Sequence, residues 1–116
     1  MRCFLQAKIH GARITESNME YTGSVAVCPK LLEASGLLPN ERVDIYNIDN
    51  GNRLTTYIIE GKKGEIGLNG AAAWKGDPGE RVILAAYAWL SRQEIPGHVP
   101  KVVLVGEENE ISEVRG

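Results

Sequence analysis

The stretch 42-RVDIYNIDNGNRLTTYIIEG-61 sets two β-rich runs on either side of Asn50-Gly51. Asn-Gly takes the positive-φ positions of a tight hairpin turn at little steric cost, so the segment reads as a β-hairpin. Further strands flank this hairpin in the chain. In 3-CFLQAKIH-10 the alternation assigns Cys3, Leu5, Ala7 and Ile9 to one face and Phe4, Gln6, Lys8 and His10 to the other, so Lys8 and His10 point the same way. The run 81-RVILAAYAWL-90 is apolar on both faces and predicts a strand buried on both sides, central to the sheet. A last strand is predicted in 98-HVPKVVLVG-106, bounded by Pro96 and Pro100. Helical signals are few. The segment 28-CPKLLEASG-36 has a proline suited to a first turn and a glycine placed to end the helix, which predicts a short helix over about 29–35. The segment 69-NGAAAW-74 has little β character and opens a single helical turn, and Asp77-Pro78-Gly79 makes a turn. Beyond Gly106 the glutamates Glu107, Glu108, Glu110 and Glu113 read as a solvated end. Many short strands with few helices argue for a mainly β chain, a small closed or nearly closed barrel.

At 116 residues the chain is long enough for one core and too short for two, so residues 1–116 are read as a single domain. Its 13 basic and 15 acidic side chains leave a formal net charge of −2, which gives no electrostatic footprint for nucleic acid or an anionic membrane. The two cysteines, Cys3 and Cys28, have no metal-binding or redox-dithiol spacing and read as buried thiols. The amino-terminal residues lack the apolar core of a signal peptide and no apolar run spans a bilayer, so a cytoplasmic location is expected.

One strand carries an interruption. In 21-YTGSVAV-27 a Gly23-Ser24 pair breaks a run of β-formers. The structural reading is a bulge or a close backbone approach. The chemical reading is that Gly23 leaves its carbonyl sterically open, so that the Ser24 hydroxyl can attack it.

Lys8, Arg53, Thr56, Tyr57 and Asn69 each have an ordinary explanation as surface, strand or turn residues. Their succession is more specific. The words KIH (8–10), YTGS (21–24), NGNRLTTY (50–57) and NGAAA (69–73) occur in order. In these motifs the chain resembles the pyruvoyl-dependent aspartate decarboxylases, from Lys8 to about Ala88 and more weakly through 100-PKVVLVGEENEI-111.

The resemblance implies a six-stranded double-psi β-barrel with short helices. It also implies self-cleavage between Gly23 and Ser24, giving fragments 1–23 and 24–116. Ser24 would then become a pyruvoyl group, covalently bound and metal-free, that serves as the electron sink for decarboxylating L-aspartate to β-alanine on the way to pantothenate and coenzyme A. By the same resemblance Tyr57 returns the proton, Thr56 holds the processing intermediate and later touches substrate, and Gly70, Ala71 and Ala72 line the substrate. Arg53 suits bidentate binding of one substrate carboxylate and Lys8 the other, with the assignment of cation to carboxylate left open. The small residues of NGAAA allow backbone amides to approach an anion. His10, Tyr21, Tyr46 and Asn69 are supporting positions, His10 serving either as a structural hydrogen-bonding group or beside the site.

On a regular strand Arg53, Thr55 and Tyr57 share a face and Thr56 points away. Either a bulge twists this strand or more than one chain builds the pocket. The resemblance favours the second, since it implies a homotetramer with sites between subunits; the need for a separate maturation factor stays open. The chain departs from the family pattern at Tyr46, where tryptophan is common, and at Gly11, where arginine is common. His98, between turns, reads as a surface residue. The competing reading is a non-catalytic double-psi barrel, a binding or assembly module in which Gly23-Ser24 is only a bulge.

Overall fold

A computed structural model describes residues 1–116. Nine strands are present: β1 (Arg2–Arg13), β2 (Glu16–Asn18), β3 (Ser24–Val27), β4 (Arg42–Asn47), β5 (Arg53–Glu60), β6 (Ile66–Asn69), β7 (Arg81–Leu90), β8 (Lys101–Val105) and β9 (Ile111–Arg115). The helix α1 spans Pro29–Ser35, with proline in its first turn and Gly36 accepting the chain reversal after it, as expected. Single 3₁₀ turns cover Gly70–Lys75 and Ile95–Gly97. The chain is thus mainly β with short helices.

The strands hydrogen-bond in the order β2-β6-β3-β5-β4-β7-β1-β8-β9. Only Ile14 and Thr15 separate β1 from β2, yet these strands stand seventh and first in that order. Two residues bridge this separation only if the sheet curls back on itself, giving a barrel-like wrap. Backbone bonds fix the crossing: Ile14 N–H donates to Glu80 O (2.9 Å) and Thr15 N–H to Ile66 O (2.8 Å). Asn109, buried in the β8–β9 turn, staples it from outside by accepting from Arg13 N–H (2.7 Å) and donating to the carbonyls of Arg13 and Gly64 (2.9 Å each). Inside the wrap lie Ile9, Val25, Val27, Ile45, Ile58, Ile66 and Leu84, none with exposed surface. Burying each such side chain contributes about 1.5–3 kcal/mol.

The hairpin of β4 and β5 forms as expected, in unbroken register from Tyr46↔Arg53 to Arg42↔Tyr57, but the turn is not the tight one expected: residues 48–52 join the strands and of the Asn50-Gly51 pair only Gly51 takes positive φ (+77°). Other expectations need correcting. The alternation of β1 is broken by a register shift between Leu5 and Ala7, because Gln6 is an extra residue opposite β7. The bulge inverts the faces, so Ala7 and Ile9 enter the core while Cys3 and Leu5 pair with Trp89 and Tyr87 on the outside. Cys3 is therefore exposed, and only Cys28 is a buried thiol. Strand β7 is central, between β4 and β1, but only its first half is closed on both sides; Tyr87 and Trp89 are 45% and 65% exposed. Strand β8 is not the last. The acidic tail returns as β9, antiparallel to β8, because the Asn109 turn reverses the chain while its side chains stay in solvent. His98 is not a bare surface residue: its ring stacks edge-on against Phe4 (6.3 Å), and Nε2 donates to the carbonyl of Leu5 (2.7 Å) beside the β1 bulge.

Candidate active site

The strand expected across YTGSVAV begins only at Ser24, so Gly23-Ser24 is the point where an irregular loop enters β3. Ser24 is 1% exposed. Its Oγ accepts a hydrogen bond from Asn69 Nδ2 (3.0 Å) and donates to the carbonyl of Thr22 (3.3 Å). The first bond follows from register, since Ser24 and Asn69 are opposite partners in the antiparallel pair of β3 and β6. Strand β6 ends at Asn69, and Gly70 starts the 3₁₀ turn with φ +63°. A Cβ at Gly70 would stand 2.6 Å from Gly23 Cα and 2.7 Å from Gly23 N, so only glycine lets the turn lie against the Gly23 backbone. A Cβ at Gly23 itself would meet nothing closer than Asn69 O at 3.9 Å. Ala72 is buried under the turn and Ala71 is exposed on it. Tyr21, 54% exposed, lines a groove of about 400 Å³ outside this junction together with Asn69, Ala26 and the acidic Glu16, Glu60 and Glu65.

A second group of expected residues lies on the outer face of β5, β4, β7 and β1. Register alone places them in rows. Arg53 is opposite Tyr46, Tyr46 opposite Ile83 and Ile83 opposite His10. In the next row stand Thr55, Asp44, Ala85 and Lys8. Lys8 and His10 do share a face. The Arg53 guanidinium carbon sits 4.5 Å above the Tyr46 ring, and neither Arg53 nor Lys8 belongs to any of the three ion pairs, Arg13–Glu107, Arg81–Asp49 and Arg115–Glu113. Their charges are thus available to an anion. Burial, then the charges of Lys8 and Arg81, lower the His10 pKa from its ordinary value. Its Nδ1 is buried without a hydrogen-bond partner, which removes that nitrogen from a structural bonding role within the chain.

Three further residues of this face were missed in the sequence. Asp44 Oδ1 accepts from Thr55 Oγ1 (2.8 Å) and Oδ2 from the Tyr46 hydroxyl (3.3 Å), while the Tyr46 and Tyr87 hydroxyls are 2.9 Å apart. Hydrogen bonding with Tyr87, burial and the charge of Asp44 push the Tyr46 phenol above its ordinary range. The hairpin register already implied that Asp44 faces Thr55; nothing local announced Tyr87.

Tyr57 is 38% exposed on the outer face and Thr56 turns inward with Leu54 and Ile58. The register of β5 has no bulge, so a twisted strand does not reunite Thr56 with Arg53 and Tyr57. Arg53 and Tyr57 are four positions apart, about 13 Å along the strand at ~3.3 Å per residue. No three His, Cys, Asp or Glu side chains gather in a way that could hold a metal ion.

The family model described as Aspartate decarboxylase matches residues 1–112. This chain belongs to the aspartate decarboxylase family. It is 53% identical to the aspartate 1-decarboxylase of Bdellovibrio bacteriovorus, over 96% of this chain and 90% of that one. The aspartate 1-decarboxylases of Bacillus pumilus and a Hydrogenobaculum species are 48% and 47% identical, covering 99% and 98% of this chain and 92% and 91% of theirs. The expectation of a decarboxylase-family enzyme is met, and a binding module built on a bare barrel is not what the relatives are. No helix is long and apolar enough to cross a membrane.

Proposed function

We propose that this chain decarboxylates L-aspartate at the α-carboxylate to β-alanine and CO₂, after cleaving itself between Gly23 and Ser24. The observation that carries the reading is the buried Ser24 hydroxyl, held by Asn69 and Thr22 at the one point where Gly70 presses on the preceding residue. The Asn69 amide orients Oγ, Gly23 leaves the carbonyl unshielded by a side chain, and the turn at Gly70 fixes the backbone on the other side. A well-oriented group gains most of its reactivity from not having to find its partner.

The same residues fit a pyruvoyl group at position 24. Its surroundings are small and buried, with a hydrogen-bond donor, Asn69 Nδ2, already aimed at the side chain. When formed, that group supplies the electron sink that no ordinary side chain offers. The remaining work falls to the protein. Arg53 presents a guanidinium with no carboxylate of its own and holds one substrate carboxylate in two parallel bonds. Lys8 neutralises the other. Extending the register of β3 and β5 by one residue sets Ser24 beside Tyr57, where the phenol can return a proton to the substrate carbon. Thr56, half-buried on the inner face, steadies the processing step, and Ala71 and Ala72 complete the wall next to Gly70.

Within one chain, Arg53, Lys8 and His10 form one half of a site and Ser24, Asn69 and Tyr57 the other. An aspartate is shorter than the separation of those halves, so the reading includes a homotetramer in which one protomer's cations serve a neighbour's Ser24. It also includes a cytoplasmic enzyme that provides β-alanine for pantothenate and coenzyme A. The test is turnover. Processed protein should release β-alanine from aspartate, with glutamate a far poorer substrate, and borohydride added with aspartate should fix substrate mass to fragment 24–116. Absence of β-alanine from fully cleaved protein would overturn the reading.

A further inference from the structure

Arg53 and Asp44 lie on one face in adjacent rows of the hairpin, and a free aspartate there would compete with any incoming carboxylate for the guanidinium. The structure prevents this. Both Asp44 oxygens are already engaged by neutral hydroxyls, Thr55 Oγ1 at 2.8 Å and Tyr46 Oη at 3.3 Å. A carboxylate can only accept, so the Tyr46 proton points at Asp44 and the Tyr46 oxygen is left to accept from Tyr87 at 2.9 Å. The chain Tyr87–Tyr46–Asp44–Thr55 therefore fixes the Tyr46 ring, and Arg53 stacks on that ring at 4.5 Å with all its N–H donors unspent.

We propose that Tyr87 and Thr55 are positioning residues for substrate recognition: through Tyr46 and Asp44 they keep the Arg53 guanidinium stacked and free for a substrate carboxylate. The inference rests on Arg53 being the carboxylate holder of the reading above. It adds two residues that do not touch the reacting atoms, one of them 34 positions away from Arg53 in sequence. Stacking offers the guanidinium a surface without consuming its hydrogen bonds, which is what sets this support apart from an ion pair. Loss of the Thr55 hydroxyl frees an Asp44 oxygen, which then turns toward Arg53; loss of the Tyr87 hydroxyl leaves the Tyr46–Asp44 bond in place but unpins the Tyr46 ring on which Arg53 stacks.

The experiment compares Tyr87→Phe, Thr55→Val and Arg53→Lys with the unaltered enzyme, all as processed protein. Two quantities are read: kcat and KM for aspartate, and the calorimetric Kd for succinate, a dicarboxylate without the amine needed to react. Tyr87→Phe should weaken succinate binding and raise KM by about three- to tenfold, with kcat within about twofold and cleavage complete. Thr55→Val, acting on the other Asp44 oxygen, should do the same, which guards against a folding defect in one variant. In an Arg53→Lys background Tyr87→Phe should add less than about twofold, because the bidentate target is already gone. Unchanged succinate affinity in Tyr87→Phe and Thr55→Val, a fall in kcat without a rise in KM, or full additivity with Arg53→Lys would overturn the proposal while leaving the decarboxylase reading intact. If Arg53→Lys itself leaves both KM and the succinate Kd unchanged, the assignment of Arg53 fails and the proposal falls with it.

Discussion

Asn69 donates its side-chain amide to the hydroxyl of Ser24 over 3.0 Å, and the two residues are register partners of β6 and β3. Removing this donor should act on chemistry before it acts on folding. Asn69→Ala should slow self-cleavage on the order of 10²-fold, since a misplaced nucleophile loses most of its advantage. Stability should fall by only about 1–3 kcal/mol, the cost of an unpaired buried polar group. A time course of the uncut chain on a denaturing gel, beside a urea titration, separates the two effects. A variant that cleaves at the original rate would remove Asn69 from the processing step.

Gly70 offers a sharper structural test. An alanine there meets Gly23 Cα at 2.6 Å with φ at +63°. Left-handed backbone and overlap together should cost roughly 2–5 kcal/mol, and displacement of Gly23 should stop cleavage. Gly51→Ala is the control: its φ is +77° but nothing lies within 4 Å of the added carbon. It should lose only about 1–2 kcal/mol and cleave normally.

The hairpin and α1 were legible because their signals are local: Asn50-Gly51 between alternating runs, proline and glycine around two leucines. Strand β6 was not. Gly67 weakens its pattern, and its partners Glu16–Asn18 and Ser24–Val27 lie about 40–50 residues away in the chain. The bulge at Gln6 and the return strand β9 were equally hidden, each being decided by a distant neighbour, β7 or the Asn109 staple. Among site residues, alternation alone placed Lys8 with His10 and Arg53 with Tyr57, each pair on one face of its own strand. Asp44, Thr55 and Tyr87 acquire meaning only once β4, β5 and β7 are laid side by side.

His10 predicts a pH effect of definite sign. Its pKa is lowered in the folded chain by burial and by Lys8 and Arg81, below the ordinary value of 6.5. Between the two values the unfolded chain binds more protons, so stability should rise with pH through this window and fall as pH drops below about 6.5. Urea midpoints from pH 5 to 7.5 should show a shallower slope in His10→Gln than in the parent chain. Equal slopes would remove His10 as a source of the dependence.

Tyr57 separates proton return from binding. Tyr57→Phe should lower kcat by roughly 10²- to 10⁴-fold, the range for loss of a positioned general acid. KM for aspartate should stay within about threefold and cleavage should proceed, because the hydroxyl is not among the groups that hold Ser24. Steady-state kinetics on the cleaved variant checks this, and a KM effect alone would recast Tyr57 as a binding residue.

Mass spectrometry of the active enzyme under denaturing conditions asks whether Ser24 severs the chain and becomes the reacting ketone. The expected outcome is a fragment 1–23 ending in the Gly23 carboxylate and a fragment 24–116 lighter by one ammonia than the same peptide with an amino-terminal serine. An active enzyme whose chain runs unbroken from Gly23 to Ser24 would contradict it.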